Sequence, residues 1–358
     1  MSTTSSSSPA AVNRRSKSSR AQSRLAWLLI SPTVLVLTVV IIIPVLQSLQ
    51  QSLYGKAGLD KETGFVSKVA PFVGLKNYTD IVTSAGERFW TAAWNTTLFG
   101  VVTVVLETVL GVAMALIMHK AMRGRGFVRA AILVPWAIPT AVSAILWGWI
   151  FNQDGVANAV LGQHIMWASG GTSAKMAIII ADVWKTAPYI GLLTLAGLQV
   201  IPDEVYEAAK IDGANAWRRF TSITLPLVKP ALAVAVLFRA LDALRMFDLP
   251  YILIGPRKAS VETISMLVQD EASNLRYGSA AAYALILFLY VFIFAFAFVK
   301  ITGTDLGASV EKRKKKGGKL PASAFLPKRR PAATDSSDSS DSSQSDQSTQ
   351  SSDVRSQA

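Results

Sequence analysis

Long apolar runs recur along the chain at residues 25–46, 92–118, 127–151, 175–198, 227–249 and 279–300, each bounded by polar or charged connections. A hydrocarbon core about 30 Å thick is crossed by ~20 helical residues rising 1.5 Å each, so every run predicts a transmembrane helix. The pattern specifies an all-α integral membrane protein with six spans. The first run is too long for the apolar region of a signal peptide, and no small-residue cleavage pattern follows it. It reads as an uncleaved span with Pro32 and Pro44 near its ends. Residues 47–90 form an external loop with a short helix near 76–83. Two tails, 1–24 and 301–358, lack the apolar residues to bury a core and are expected to be disordered. The first is Ser-rich with Arg14, Arg15, Lys17, Arg20 and Arg24, and the second is basic before it becomes a Ser/Asp/Gln tract.

The connection at 203–226 has a pattern of its own. It lies between two spans and is too polar to enter a bilayer. Asp203 and Glu204, just after Pro202, put acids in the first turn of a helix, where they complement the dipole. Glu207, Ala208, Ala209 and Lys210 continue that helix. Gly213, after Asp212, permits a turn that a side chain would hinder, and 214–221 predicts a second short helix with Trp217 and Phe220 on one face. Adjacent alanines let another backbone approach closely, and the aromatics offer anchors of the kind that carry binding energy. The result is a knob suited to docking. The plainer alternative is an amphipathic loop lying on the membrane surface.

Charge then orients the chain. Six spans put both tails on one side, and Lys and Arg are concentrated in the tails, in the connection holding Lys120, Arg123, Arg125 and Arg129, and in 203–226. By the positive-inside rule these face the cytoplasm of a cell whose plasma (inner) membrane holds the protein. The net charge of +13 sits mainly at 14–24 and 312–330, beside the first and last spans. That placement favours anionic membrane lipids over nucleic acid. A composition 51% hydrophobic and a mean hydropathy of +0.36 agree with a membrane-embedded chain. The absence of cysteine excludes disulfides and thiolate chemistry, and His119 and His164 are too far apart to form a metal motif.

Ionisable residues inside the spans are costly unless they face protein or water, so they are the default functional candidates. Asp182, Trp184, Lys185, Thr186, Pro188 and Tyr189 cluster in the fourth span, where Pro188 in a polar middle suggests a broken helix lining a cavity. Arg239, Asp242, Arg245 and Asp248 cluster in the fifth. At about 100° per residue, Arg239, Asp242 and Met246 share one side while Asp248 points nearly opposite to Arg239, so the four charges are not expected to line one groove. Two readings stand side by side: contact with a polar ligand, or neutralisation by pairing of Asp182 with Lys185 and of Asp242 with Arg239 or Arg245. Glu107 and His119 are expected to meet a neighbouring helix or the interface. No Gly-x-x-x-x-Gly-Lys-Ser/Thr loop occurs and no hydrolytic constellation stands out, so the chain is not an enzyme, binds no cofactor itself and draws its energy from elsewhere.

The spacing Glu207-Ala208-Ala209, Gly213, Ile223 and Leu225-Pro226 resembles the coupling loop of ABC-importer permeases. More narrowly, residues 25–300 resemble the carbohydrate-uptake permeases of the maltose type, with both tails outside the likeness. The resemblance implies a six-span permease domain over 25–300 whose coupling loop seats in a separate ATPase subunit, through Asp212, Trp217 and Phe220 as well as the motif residues. It also implies a second, homologous permease, two nucleotide-binding subunits that supply ATP and Mg, and an extracytoplasmic sugar-binding (lipo)protein. The family pocket is lined by the helix bearing Trp-x-x-x-Pro-Tyr and by the helix after the coupling loop. Carried over, this nominates Lys185, Thr186, Tyr189, Arg239, Asp242, Ala243, Met246 and Asp248 as the substrate pathway. Several of these differ from the amide-rich lining of maltose permeases. The stretch 241–251 resembles disaccharide permeases of trehalose importers and makes trehalose the leading substrate, with maltose-like glucosides and glycerol phosphodiesters open.

Two other classes use the same residues differently. A secondary transporter would couple the intramembrane charges to protons or sodium without an ATPase. A membrane-anchored scaffold would act through its tails. Both tolerate changes at Glu207 and Gly213 that would uncouple an ATP-driven importer.

Overall fold

Each predicted apolar run is built from helix in the computed structural model, which describes residues 15–59, 66–67, 69–120 and 123–302. In order these are α1 (Arg15–Leu37), a π-helical turn at Thr38–Ile42, α2 (Ile43–Gln51), strands β1 (Gly58–Leu59) and β2 (Val66–Ser67), α3 (Lys76–Val82) and α4 (Gly86–His119). There follow α5 (Arg125–Ala137), α6 (Thr140–Ile150), α7 (Val156–Leu161), α8 (Gly171–Leu198), α9 (Asp203–Ile211) and α10 (Ala216–Arg219). A second π turn, Phe220–Thr224, leads into α11 (Leu225–Ala243), and the described chain ends with α12 (Asp248–Leu253), α13 (Ile264–Ser273) and α14 (Tyr277–Thr302). The short external helix expected near 76–83 is α3. The antiparallel β1–β2 pair in the same loop was not foreseen.

Three boundaries correct the sequence reading. Helix α1 begins at Arg15, so 15–24 belongs to a helix and not to a disordered tail; no Gly or Pro interrupts those residues. The tails at 1–14 and 303–358 lie outside the described residues. The third span is two helices, α5 and α6, bent by 93° at Ile138–Pro139. Extended backbone at both residues makes the corner, as the position before a proline favours. The fourth span is the reverse case, because α8 runs unbroken through Pro188. Helix α4 lies against that turn so closely that a Cβ on Gly111 would meet Ile190 Cβ at 2.8 Å and Ala187 O at 3.0 Å. Neighbouring helices in a membrane bundle hold a helix together across a proline in this way.

The fifth span also stops early, at Ala243, and restarts as α12. Pro250 gives the reason. A helix continuing through it would place the proline ring against the carbonyl of Met246 and leave that carbonyl without a donor. Instead the chain breaks at Met246–Phe247, Thr263 Oγ1 donates to Met246 O at 3.0 Å, and Pro250 sits in the first turn of the new helix, where it is tolerated.

The N-terminal end of α4 anchors the segment from α12 to α13. Arg88 grips Glu262 with Nε and Nη2 at 2.8 and 2.6 Å and reaches Asp270 at 2.8 Å. Asn95 Nδ2 donates to the carbonyls of Ala259 and Glu262, and Thr96 Oγ1 accepts from Ile264 N–H. At the other end of α4, Arg129 of α5 donates to Met118 O at 2.9 and 3.1 Å and closes the last turn. Much of α1, α2 and α14 shows exposed aliphatic and aromatic side chains, among them Leu35, Leu46, Phe292 and Phe296. That surface suits hydrocarbon and not water.

Candidate functional site

Where α8, α11 and the break before α12 meet, the bundle encloses a polar cavity of about 310 Å³. Its wall behind the cavity is an ion cluster. Arg239 on α11, Glu107 on α4 and Asp182 on α8 are almost wholly buried. Arg239 Nε lies 2.7 Å from Glu107 Oε2, Nη2 lies 2.9 Å from Glu107 Oε1, and Nη2 is also paired with Asp182 Oδ2. The Thr186 hydroxyl is 2.6 Å from both Glu107 Oε1 and the Asp182 carbonyl, so one proton serves two acceptors. Such a cluster survives out of water because one guanidinium answers two carboxylates from different helices.

The cluster shares the cavity lining with charged and uncharged side chains. Lys185 and Thr186 come from α8, Asp242 from the end of α11, Arg245 and Met246 from the break, and Asp248 from the start of α12. Asp242 and Arg245 are the exposed pair, 3.4 Å apart, while Arg239 approaches Asp242 only to 3.6 Å. The expectation that Arg239, Asp242, Arg245 and Asp248 do not share a groove is therefore overturned. The break resets the direction of the chain, so helical phase does not carry from Arg239 to Asp248. The pairing of Asp182 with Lys185 along one helix is likewise replaced by Asp182 with Arg239 across two.

The remaining nominated residues divide. Tyr189 does not line the cavity, but its ring lies 5.6 Å from Trp136, which does line it with Thr140. Ala243 is buried beside Val104 and Ala240 on the side of α4 and does not line the cavity. Glu107 was expected only to meet a neighbouring helix; it does so as the deepest member of the cluster. Its signal was a lone carboxylate in the middle of an apolar run. Trp136 and Thr140 were missed, and the sign was the proline directly before each, Pro135 and Pro139.

The segment 203–226 folds as a helix, a turn and a shorter helix. Helix α9 ends where Gly213 takes φ of +76°, and Ala214 N–H returns to Ala209 O at 2.9 Å. Asn215 Oδ1 accepts from Arg218 N–H at 2.8 Å and starts α10 at Ala216, two residues later than the sequence suggests. Glu207, Ala208, Asp212, Gly213, Trp217 and Pro226 are exposed. Ala209 is buried, and Phe220, Ile223 and Leu225 are half-buried. The Trp217 and Phe220 rings lie 5.9 Å apart. Tyr206 Oη and Thr224 Oγ1, 3.3 Å apart, tie the first helix to the π turn.

Residues 107–301 match the family model described as "Binding-protein-dependent transport system inner membrane component". The chain belongs to this family. Among its relatives is a trehalose/maltose transport system permease protein of Thermococcus litoralis, 41% identical over 76% of this chain and 92% of that protein. A trehalose transport system permease protein of Mycobacterium tuberculosis is 37% identical over 75% of this chain and 86% of its own length. A sulfoquinovosyl glycerol transport system permease protein of Agrobacterium fabrum is 35% identical over 73% and 85%. The fold matches a chain from a bacterial ABC transporter that imports the acidic polysaccharide alginate, with TM-score 0.67 and 19% identity, over 80% of this chain and 98% of that one. This family member is a multi-pass permease subunit of an ABC importer, not an enzyme.

Proposed function

We propose that this permease carries a neutral disaccharide, trehalose first among the alternatives, through the cavity between α8 and the α11–α12 break. The observation that carries the reading is the cavity's mixed lining. Lys185 and Arg245 donate, Asp242 and Asp248 accept, and Trp136 offers an aromatic face, the set of groups a polyhydroxylated ligand requires. Both trehalose-named relatives support that choice. A second, homologous permease completes the pathway, and an extracytoplasmic sugar-binding protein delivers the ligand. Both tails and the segment 203–226 face the cytoplasm.

Energy enters through 203–226, docked on one of two ATPase subunits that hold ATP and Mg. Glu207, Ala208, Asp212 and Trp217 form its exposed face, and Gly213 fixes the angle between its two helices. Displacement of this element by the ATPase tilts α8 and α11, which it joins, and so opens the cavity alternately to the two sides of the membrane. A side chain at Gly213 is strained by its positive φ at a cost of about 1–2 kcal/mol, small enough to leave the spans folded. The test is recovery of the detergent-solubilised chain from its native membrane, wild type against Gly213→Asp, with ATPase activity assayed in the eluate and trehalose uptake measured in the same cells. ATPase recovered with wild type and lost with the variant, together with lost uptake, is the expected result. A folded wild-type chain that brings no ATPase under conditions that preserve complexes refutes the coupling role, and uptake of other sugars but not trehalose refutes the substrate.

A further inference from the structure

A second cavity, of about 750 Å³ and open to the surface, lies behind the proposed docking face, between the adjoining ends of α4 and α8 and the inner side of α9 and α10. Its charged lining is one-sided. Lys120 after α4, Lys210 on α9 and Arg219 on α10 line it, with His119 beside them and Asp203 as the one carboxylate. None of these three cations has an ion-pair partner among the described residues. Leu116 is part-exposed at its edge, and Leu198 and Phe220 give the same cavity an apolar part.

The geometry of α9 separates this cavity from the docking surface. Asp203, Tyr206 and Lys210, spaced three and four apart, face the cavity, while Glu204, Glu207, Ala208 and Ile211 are exposed elsewhere on the helix. An occupant can thus contact the segment from within while its outer face stays free. Uncompensated cations around a concave site favour an anion, and guanidinium with ammonium groups suits the several acceptor oxygens of a phosphoryl group. Basic pockets at the ends of transmembrane helices hold phosphorylated headgroups by this chemistry.

We propose that this cavity is a binding site for a phosphoryl anion, supplied either by the headgroup of an anionic phospholipid or by a soluble phosphate. Occupancy links Lys120, at the end of a span, to Lys210 and Arg219 on the segment 203–226, and so braces that segment against the bundle. The site does not depend on which membrane face it occupies, nor on the coupling role of the outer surface.

The test uses the full chain in phosphatidylcholine nanodiscs. One arm adds phosphatidylglycerol and counts retained lipid by native mass spectrometry; the other titrates inorganic phosphate calorimetrically. Wild type is expected to bind one of the two probes, and which arm responds identifies the source. Lys210→Gln combined with Arg219→Gln should weaken that binding about thirtyfold, Lys210→Arg should retain it, and Arg125→Gln, an exposed cation outside the cavity, should leave it unchanged. Absence of binding in both arms overturns the proposal. So does equal weakening by Arg125→Gln, which would mark general attraction to the surface.

Discussion

Arg239 holds the cavity wall together because it is the shared partner of two buried carboxylates from two other helices. Replacing it by methionine keeps much of the volume but leaves Glu107 and Asp182 facing each other without a cation. Removal of one partner from a buried ion cluster typically costs about 3–5 kcal/mol. Arg239→Met should therefore lower the unfolding free energy of the detergent-solubilised chain by about that much, read from denaturant titration. Adding Glu107→Gln to the same variant should recover part of the loss, since it removes one of the stranded charges; no recovery would mean that the two side chains are not energetically linked. The sequence made both residues visible, as ionisable groups inside apolar runs, yet not their pairing. Glu107 and Arg239 lie 132 positions apart, and local spacing carries no information about which face of one span meets which face of another.

At the scale of the element, helix existence was legible and helix continuity was not. Apolar length announced every span, and the alternation of acids, alanines and Gly213 announced the helix-turn-helix of 203–226. The breaks depend on finer accounts. Pro188 leaves α8 continuous because α4 is packed on its turn, whereas Pro139 and Pro250 mark a corner and a restart. The α4–α8 contact also depends on small residues: Gly111 lies against Ile190, and a Cβ at Gly191 would come within 3.2 Å of Gly111 O. Gly111→Val should cost about 1–3 kcal/mol by overpacking, and should lower the melting temperature of the purified chain more than the same change at Gly126, where an added Cβ would meet no other part of the protein within 4 Å. Equal effects would show that helix propensity, and not the close approach, sets the cost. The anchor between α4 and α13 adds a pH dependence. Burial raises the pKa of Asp270, but hydrogen bonds from Arg88 and Arg257 outweigh it and hold the carboxyl below its ordinary value. A depressed folded-state pKa contributes stability at pH above the unfolded value of about 3.9 and loses it as pH falls through the folded one. Stability below about pH 4 should therefore fall less steeply for Asp270→Asn than for wild type in parallel acid titrations followed by tryptophan fluorescence.

Across the whole molecule, two ends of one bundle carry different chemistry, and transport requires that they face different compartments. One end is held by the carboxylate-rich anchor of Glu262, Asp270 and Glu271 with their arginine partners. The other presents 203–226 and the connection with Arg123, Arg125 and Arg129. The proposed orientation, which follows the positive-inside rule, turns the second end to the cytoplasm, and the absence of native cysteine makes that proposal directly measurable, because any introduced thiol is the sole site of labelling. Ser222, in the second π turn, and Ser273, at the end of α13, are both exposed. In intact cells a membrane-impermeant maleimide should label Ser273→Cys, while Ser222→Cys should react only after the membrane is permeabilised. The reverse pattern would place 203–226 outside the cell, away from ATP, and would remove the ATP-driven coupling while leaving the fold untouched. The expected pattern would support the proposed arrangement, with the anchor on the extracytoplasmic side and the exposed Trp217 face on the side that holds ATP. The charged cavity then lies between the two, at the break in the fifth span.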